Sequence, residues 1–324
     1  MHNLTPEQRK VIILSSMGGL LEFYDFTIYG LFAAYFSSQF FPSHNALISI
    51  IASYTVFVIG YIARPIGGIL FSHLGDEVGR KKVMVLTMIL MGFASLGLGV
   101  LPTYATIGVY APLLMLLLRL IQGLAIGGEL PSMIVYVSES IAHRRGIALG
   151  GVFAGTVTGL LPGMLINIII THTLTMGQIN AFGWRIPFVL GGLLCFVAYQ
   201  VRKRLHETAA FKSIKHKDKL PFAELVQHHF VKVVVGAGLV GIMATPIMLA
   251  IIFMPTYLLK IVKLNDTLVS NAILIATCVS ICGIYIMGML ADRFAADKLL
   301  RICVLDYLKH AADLPNPLKN TLQE

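Results

Sequence analysis

Charge is scarce in this sequence. Only 13% of its 324 residues are Asp, Glu, Lys or Arg, against 56% hydrophobic ones, and the mean hydropathy is +0.80. So few charges cannot clothe a water-soluble surface, which excludes the two soluble domains that this length could hold. Metal-ligand and secreted-disulfide patterns are also missing. The four cysteines, Cys195, Cys278, Cys282 and Cys303, lie mostly within apolar stretches and read as inert packing residues. His228 and His229 have no companion ligands, and all ten histidines fall outside the central parts of the apolar runs. Without a GxxxxGK[ST] loop, a nucleophile elbow or a nameable set of nucleophile, base and orienting group, an enzyme or nucleotide-driven pump is disfavoured. No cofactor is implied. The Lys and Arg behind the net charge of +9 form no nucleic-acid recognition motif either. They sit in the gaps between apolar runs.

Those runs define an all-α polytopic membrane protein. A spanning helix needs about 20 mainly apolar residues, and eight stretches qualify, near 11–36, 47–71, 83–101, 107–130, 147–171, 184–201, 232–259 and 267–291. Glu22 and Asp25 interrupt the first run and no cleavage site is evident, so it reads as an uncleaved span rather than a signal peptide. Basic residues cluster in alternate gaps: Arg9 and Lys10; Arg80, Lys81 and Lys82; Arg144 and Arg145; a segment from Arg202 to Lys232; and Arg293, Lys298 and Arg301. By the positive-inside rule both termini are expected in the cytoplasm. The chain divides into a six-helix half (1–201), a basic cytoplasmic connector attracted to anionic lipid (202–231), two further spans (232–293) and a polar tail (294–324).

The few charges inside the spans need a protein interior or a watery cavity, because an ionised side chain in hydrocarbon costs at least about 2.5 kcal/mol. LLRLIQGLAIGGELP holds Arg119, Gln122 and Glu129. LEFYDFTIYG puts Glu22 and Asp25 three apart on one helix face, with Tyr29 one turn beyond. Burial disfavours an ionised carboxylate and a neighbouring arginine favours it. That competition can run a proton switch at Glu22, Asp25 or Glu129, or it can settle into a static ion pair. The sequence offers Arg119 both Glu22 and Asp25 as partners. In ARPIGG, Arg64 is either an anion ligand or a cap on a proline-bent helix. Gly151, Gly155, Gly159 and Gly163 recur at every fourth position, forming either a fixed packing seam or a sliding contact.

Several of these segments together resemble the major facilitator superfamily, and more narrowly its metabolite:proton symporters. HLGDEVGRKK, with Asp76, Gly79 and Arg80, is similar to the signature loop between the second and third helices, with Ser72 and Glu77 where that signature usually has glycine and arginine. RLIQGLAIGGE, ESIAHRRG, GWRIPFVLGG and RLHETAAF are further marks in the same order. The resemblance implies a major facilitator-like helical bundle with about eight of the usual twelve transmembrane helices, and a substrate site between two halves. GMLADRF, with Asp292 and Arg293, resembles the repeat of the signature in the second half, and its pattern stops at Ala295 and Ala296. A shortened product of a once longer transporter gene is therefore expected.

The resemblance further implies symport of a small polar metabolite, an organic acid or a zwitterion such as proline or betaine, with the proton as coupling ion. Arg119, Tyr29, Gln122 and Arg64 would bind substrate, and Glu22, Asp25 and Glu129 would carry protons. Asp76, Gly79, Arg80, Asp292 and Arg293 would form the inner gate. The alternative is a non-transporting membrane protein, a remnant or a subunit that needs a homodimer partner or a complementing chain. The expected place is the inner membrane of a cell.

Overall fold

In a computed structural model, residues 4–203, 205, 207, 221–248, 254, 257, 258, 262–294, 298–303 and 305 of the chain are described, and helix dominates them. Helix α1, Pro6–Phe40, begins at a capping box in which Thr5 and Gln8 exchange hydrogen bonds, with Pro6 in the first turn. Helix α2, Ala46–Val78, is capped by Asn45 Oδ1 accepting from Leu47 N. Gly79, at φ 113°, joins it directly to α3, Arg80–Val100. A side chain is disfavoured at that φ, which explains the glycine. Helix α4 is Tyr110–Ser140, and α5 consists of Arg145–Val157 and Leu160–Thr173. Helix α6 is Arg185–Arg202, α7 is Pro221–Met248 with a break at His229, and α8 is Asp266–Ala291.

Among the described residues, seven spans are long and apolar enough to cross a membrane, namely α1 to α6 and the Asn271–Ala291 part of α8. The remaining expected span, 232–259, is helical through Met248, and most of 249–259 lies outside the described residues. Of the polar tail, 295–297, 304 and 306–324 also lie outside them. Helices α1, α2 and α4 outrun the spans read from hydropathy. At about 1.5 Å per residue, the 35 residues of α1 reach roughly 50 Å, beyond a hydrocarbon core of about 30 Å.

Helix α1 is the hub, packing on α2, α4, α5 and α6, while α2 lies along α4, and α3 fills the space between α4 and α6. Glycine sets the closest approaches. A Cβ on Gly123 of α4 would stand 1.9 Å from Gly60 O of α2, and one on Gly127 would stand 2.0 Å from Arg64 O. Backbones that close gain dispersion contacts that lipid does not supply. Helix α2 runs on through Pro65, so ARPIGG serves here as a packing point. The row on α5 has one partner along its length: Cβ atoms at Gly151, Gly155, Gly159 and Gly163 would meet Ile12, Ser16, Leu20 and Thr27 of α1 in turn. Gly146 and Gly150 on another face of α5 meet Gly288 of α8.

Large apolar side chains such as Ile62, Phe93, Val100, Leu117 and Phe196 are more than half exposed. A surface of that kind is the lipid-facing wall of a spanning bundle. Inside, Tyr29, Phe32, Phe36, Phe40, Trp184 and Phe188 form one aromatic core between α1 and α6.

Candidate substrate and proton site

Among the described residues three arginine–carboxylate pairs cross the interior, and Glu22, Asp25 and Glu129 each take a different arginine. The first joins α1 to α4. Arg119 Nη1 donates to Asp25 Oδ2 at 2.8 Å and to the side-chain Oε1 of Gln122 at 2.6 Å. The guanidinium lies over the Tyr29 ring, 3.7 Å from its centroid, with Phe57 farther off at 5.5 Å. The Tyr29 hydroxyl donates to Ser53 O at 2.8 Å. Arg119 Nε and Nη2 are buried and have no hydrogen-bond partner among the described residues. A buried guanidinium with idle donors is a costly arrangement unless an anion can use them.

The second pair joins α1 to α2: Arg64 Nη1 donates to Glu22 Oε1 at 2.7 Å, and the guanidinium sits 3.8 Å from the Tyr61 ring centroid. Arg64 is partly exposed, and both pairs line one cavity with Phe26, Phe57 and Tyr61. That cavity is about 20 Å³, too small for a metabolite. The arginines are therefore clasped by the protein's own carboxylates, and a solute would have to displace them.

The third pair stands apart. Glu129 of α4 accepts from Arg202 and from Thr87 Oγ1, the latter at 2.7 Å, and is fully buried. Arg202 also donates to Leu14 O, Ser15 O and Met84 O. This unit ties α1, α3, α4 and α6 together, and Glu129 does not line the cavity beside Arg119. Arg202, grouped with the connector by its basic neighbours in sequence, is the last residue of α6 and completely buried. Helix α6 therefore ends inside the bundle, because four acceptors on three other helices hold the Arg202 guanidinium there.

The residues expected at the gate fall into two groups. Arg80 Nη2 lies 3.2 Å from both Asp76 and Glu139, bridging the α2–α3 junction to the end of α4. Asp292, just past α8, accepts from Gly146 N at 2.7 Å and Ile147 N at 2.9 Å, and so caps the first turn of α5. Arg293 lines a wide cleft with Arg9 and Arg144 at the same end. Within GWRIPFVLGG, Arg185 donates to Gly99 O and Leu101 O and closes the end of α3.

Sequence reasoning passed over Ser95 and Thr87, the hydroxyls that reach Asp25 and Glu129 from α3. The available signal was a pair of hydroxyl residues two turns apart in the apolar run that follows Lys82. It missed Phe57 and Tyr61 too, which look like ordinary lipid-facing aromatics until α2 is docked.

A spanning bundle whose interior carries ion pairs on facing helices is a polytopic α-helical membrane protein of the cell membrane. The Major Facilitator Superfamily profile matches residues 16–306, and the chain belongs to that superfamily. It is 33% identical over 300 residues to a putative proline/betaine transporter of Staphylococcus aureus strain MSSA476, a match covering 91% of this chain and 64% of the relative. It is 40% identical over 199 residues to the alpha-ketoglutarate permease of Escherichia coli K12, covering 61% of this chain and 46% of the permease. In fold it is similar to the proton:xylose symporter XylE bound to 6-bromo-6-deoxy-D-glucose, with a TM-score of 0.70 at 16% identity over 89% of this chain and 70% of that one. The chain thus spans somewhat less than two thirds of the length of the curated relatives it matches.

Proposed function

We propose that this chain serves proton-coupled symport of a small carboxylate-bearing metabolite, an organic acid or a zwitterion. The observation that carries the reading is Arg119, buried in the bundle, clasped by Asp25 and left with two idle donors. Protonation of Asp25 would release the charge on the guanidinium to a substrate carboxylate, and proton loss would recapture it and expel the solute. Glu22 and Arg64 offer the same exchange on the other side of the cavity. Proline, betaine and alpha-ketoglutarate, the solutes named for the relatives, all carry the carboxylate that this chemistry would recognise.

Two further assignments belong to this reading. The end of the bundle holding Asp76, Arg80, Glu139 and Asp292 is the cytoplasmic one, because the basic gaps of the sequence gather there. Glu129 has a fixed structural partner in Arg202, so the proton load falls on Asp25 and Glu22. Uptake of radiolabelled proline, glycine betaine and 2-oxoglutarate into proteoliposomes under an imposed pH gradient tests the proposal. Gradient-dependent accumulation of one of them, abolished in Arg119→Ala, is the expected result. No accumulation of any organic acid or betaine would reject it.

A further inference from the structure

Asp25 lies between two cavities. Its Oδ2 side faces Arg119 and the cavity shared with Arg64, and behind it a cavity of about 10 Å³ is lined by Tyr24, Met91, Ser95, Gln122, Gly191 and Cys195. Ser95, on α3, is 3% exposed. Its Oγ stands 3.1 Å from Asp25 Oδ1 and 3.2 Å from the carbonyl oxygen of Phe188 on α6. A serine hydroxyl has a single proton to donate, so at any moment it serves one of these acceptors. Two features hold α6 close enough for the second contact. The Tyr24 hydroxyl donates to Pro187 O at 2.8 Å, and Gly191 leaves no side chain where a Cβ would stand 3.1 Å from Ser95 Oγ.

We propose that Ser95 is a positioning residue that lets Asp25 change protonation state with Asp25 Oδ1 and the Ser95 hydroxyl hydrogen-bonded in both states. The proposal rests on the reading of Asp25 as a proton carrier. With Asp25 ionised, Ser95 donates to Oδ1 and Arg119 donates to Oδ2. When a proton arrives on Oδ1, the new carboxyl O–H donates to Ser95 Oγ, and the serine proton rotates to Phe188 O. On the other side Arg119 Nη1 keeps the neutral Gln122 oxygen at 2.6 Å and gives up its charged partner. Both neighbours of Asp25 thus have a second acceptor within reach, and the proton moves without a helix shift. The charged and titratable groups around Asp25 are Glu22, Tyr24 and Tyr29 on α1, Tyr61 and Arg64 on α2, Arg119 on α4, and Cys195 on α6. Helix α3 contributes only the hydroxyl.

The test is infrared difference spectroscopy of the full chain reconstituted in lipid, with the carboxylic-acid band of Asp25 identified by its loss in Asp25→Asn. Ser95→Ala removes a hydrogen bond to the carboxylate that is stronger than the one it removes from the neutral acid. The pH at which the band half-appears should then move towards the alkaline side by about half a unit to one unit, with wild-type helicity retained. Ser95→Thr, which restores the hydroxyl, should return it towards the wild-type position. A midpoint unmoved in Ser95→Ala overturns the role of Ser95 and leaves symport standing. A wild-type band that never appears across the accessible pH range overturns both. If the band shifts as expected while no solute accumulates in the uptake assay, the Ser95 relay stands and the symport reading fails.

Discussion

Arg202 and Glu129, 73 residues apart in sequence, form an ion pair with both side chains at 0% exposure. Gly18 makes room for it: a Cβ there would stand 1.9 Å from Glu129 Oε1 and 2.8 Å from Arg202 Nη2. Breaking such a pair from one side strands a charge where no water can reach it, whereas removing both charges does not.

Arg202→Met should therefore destabilise the protein by about 3–5 kcal/mol, and Arg202→Met with Glu129→Gln should recover much of that loss. Arg202→Lys should not rescue, since an ammonium cannot serve Glu129, Leu14 O, Ser15 O and Met84 O in one plane. Thermal unfolding in detergent, followed by circular dichroism, measures all three. A double variant no more stable than the single one would contradict the clasp.

At the candidate site, Asp25→Asn should separate binding from coupling. Solute counterflow between equal pH values is expected to persist, while accumulation driven by a pH gradient is lost. Arg119→Lys keeps the charge and removes the forked donors, so the apparent affinity should fall about tenfold to a hundredfold. Concentration-dependent uptake reads both effects, and unchanged affinity in Arg119→Lys would remove the guanidinium from the site.

Glycines of the α1–α5 contact should differ sharply from one outside it. In Gly159→Ala the added methyl would stand 1.9 Å from Leu20 O, so α1 and α5 must separate, at about 1–3 kcal/mol. Gly30, in the middle of α1, has nothing within 4 Å of its Cβ position. Gly30→Ala should be neutral or stabilising by up to about 1 kcal/mol through helix propensity. Paired thermal melts decide it.

Asp292→Ala leaves the amides of Gly146 and Ile147 without their acceptor, at a loss of about 1 kcal/mol. Faster hydrogen exchange in the first turn of α5, with the α1 core unaffected, is the expected signature. Equal exchange in variant and wild type would show that Asp292 is not what holds that turn.

Membrane character and the position of most spans were legible in the sequence because hydrocarbon tolerates so few charges that length and apolarity alone mark a helix. The same intolerance singled out Glu22, Asp25, Arg64, Arg119 and Glu129 as interior groups, and all five are buried or partly buried. The period of four at Gly151, Gly155, Gly159 and Gly163 announced a close helix contact, and α1 is its partner along all four turns.

Pairing was not legible. Glu22 and Asp25 share one helix face, yet one turns to Arg64 on α2 and the other to Arg119 on α4 and Ser95 on α3. The choice depends on how three helices dock around α1, which no local pattern encodes. Arg202 reads as one more surface charge in VRKRLHE, and only the convergence of four backbone and side-chain acceptors makes it the most enclosed cation among the described residues. The sequence alone determined that charge lies inside the membrane, because its cost there is fixed by the solvent. Tertiary structure decided which charge meets which, because that is fixed by helix packing.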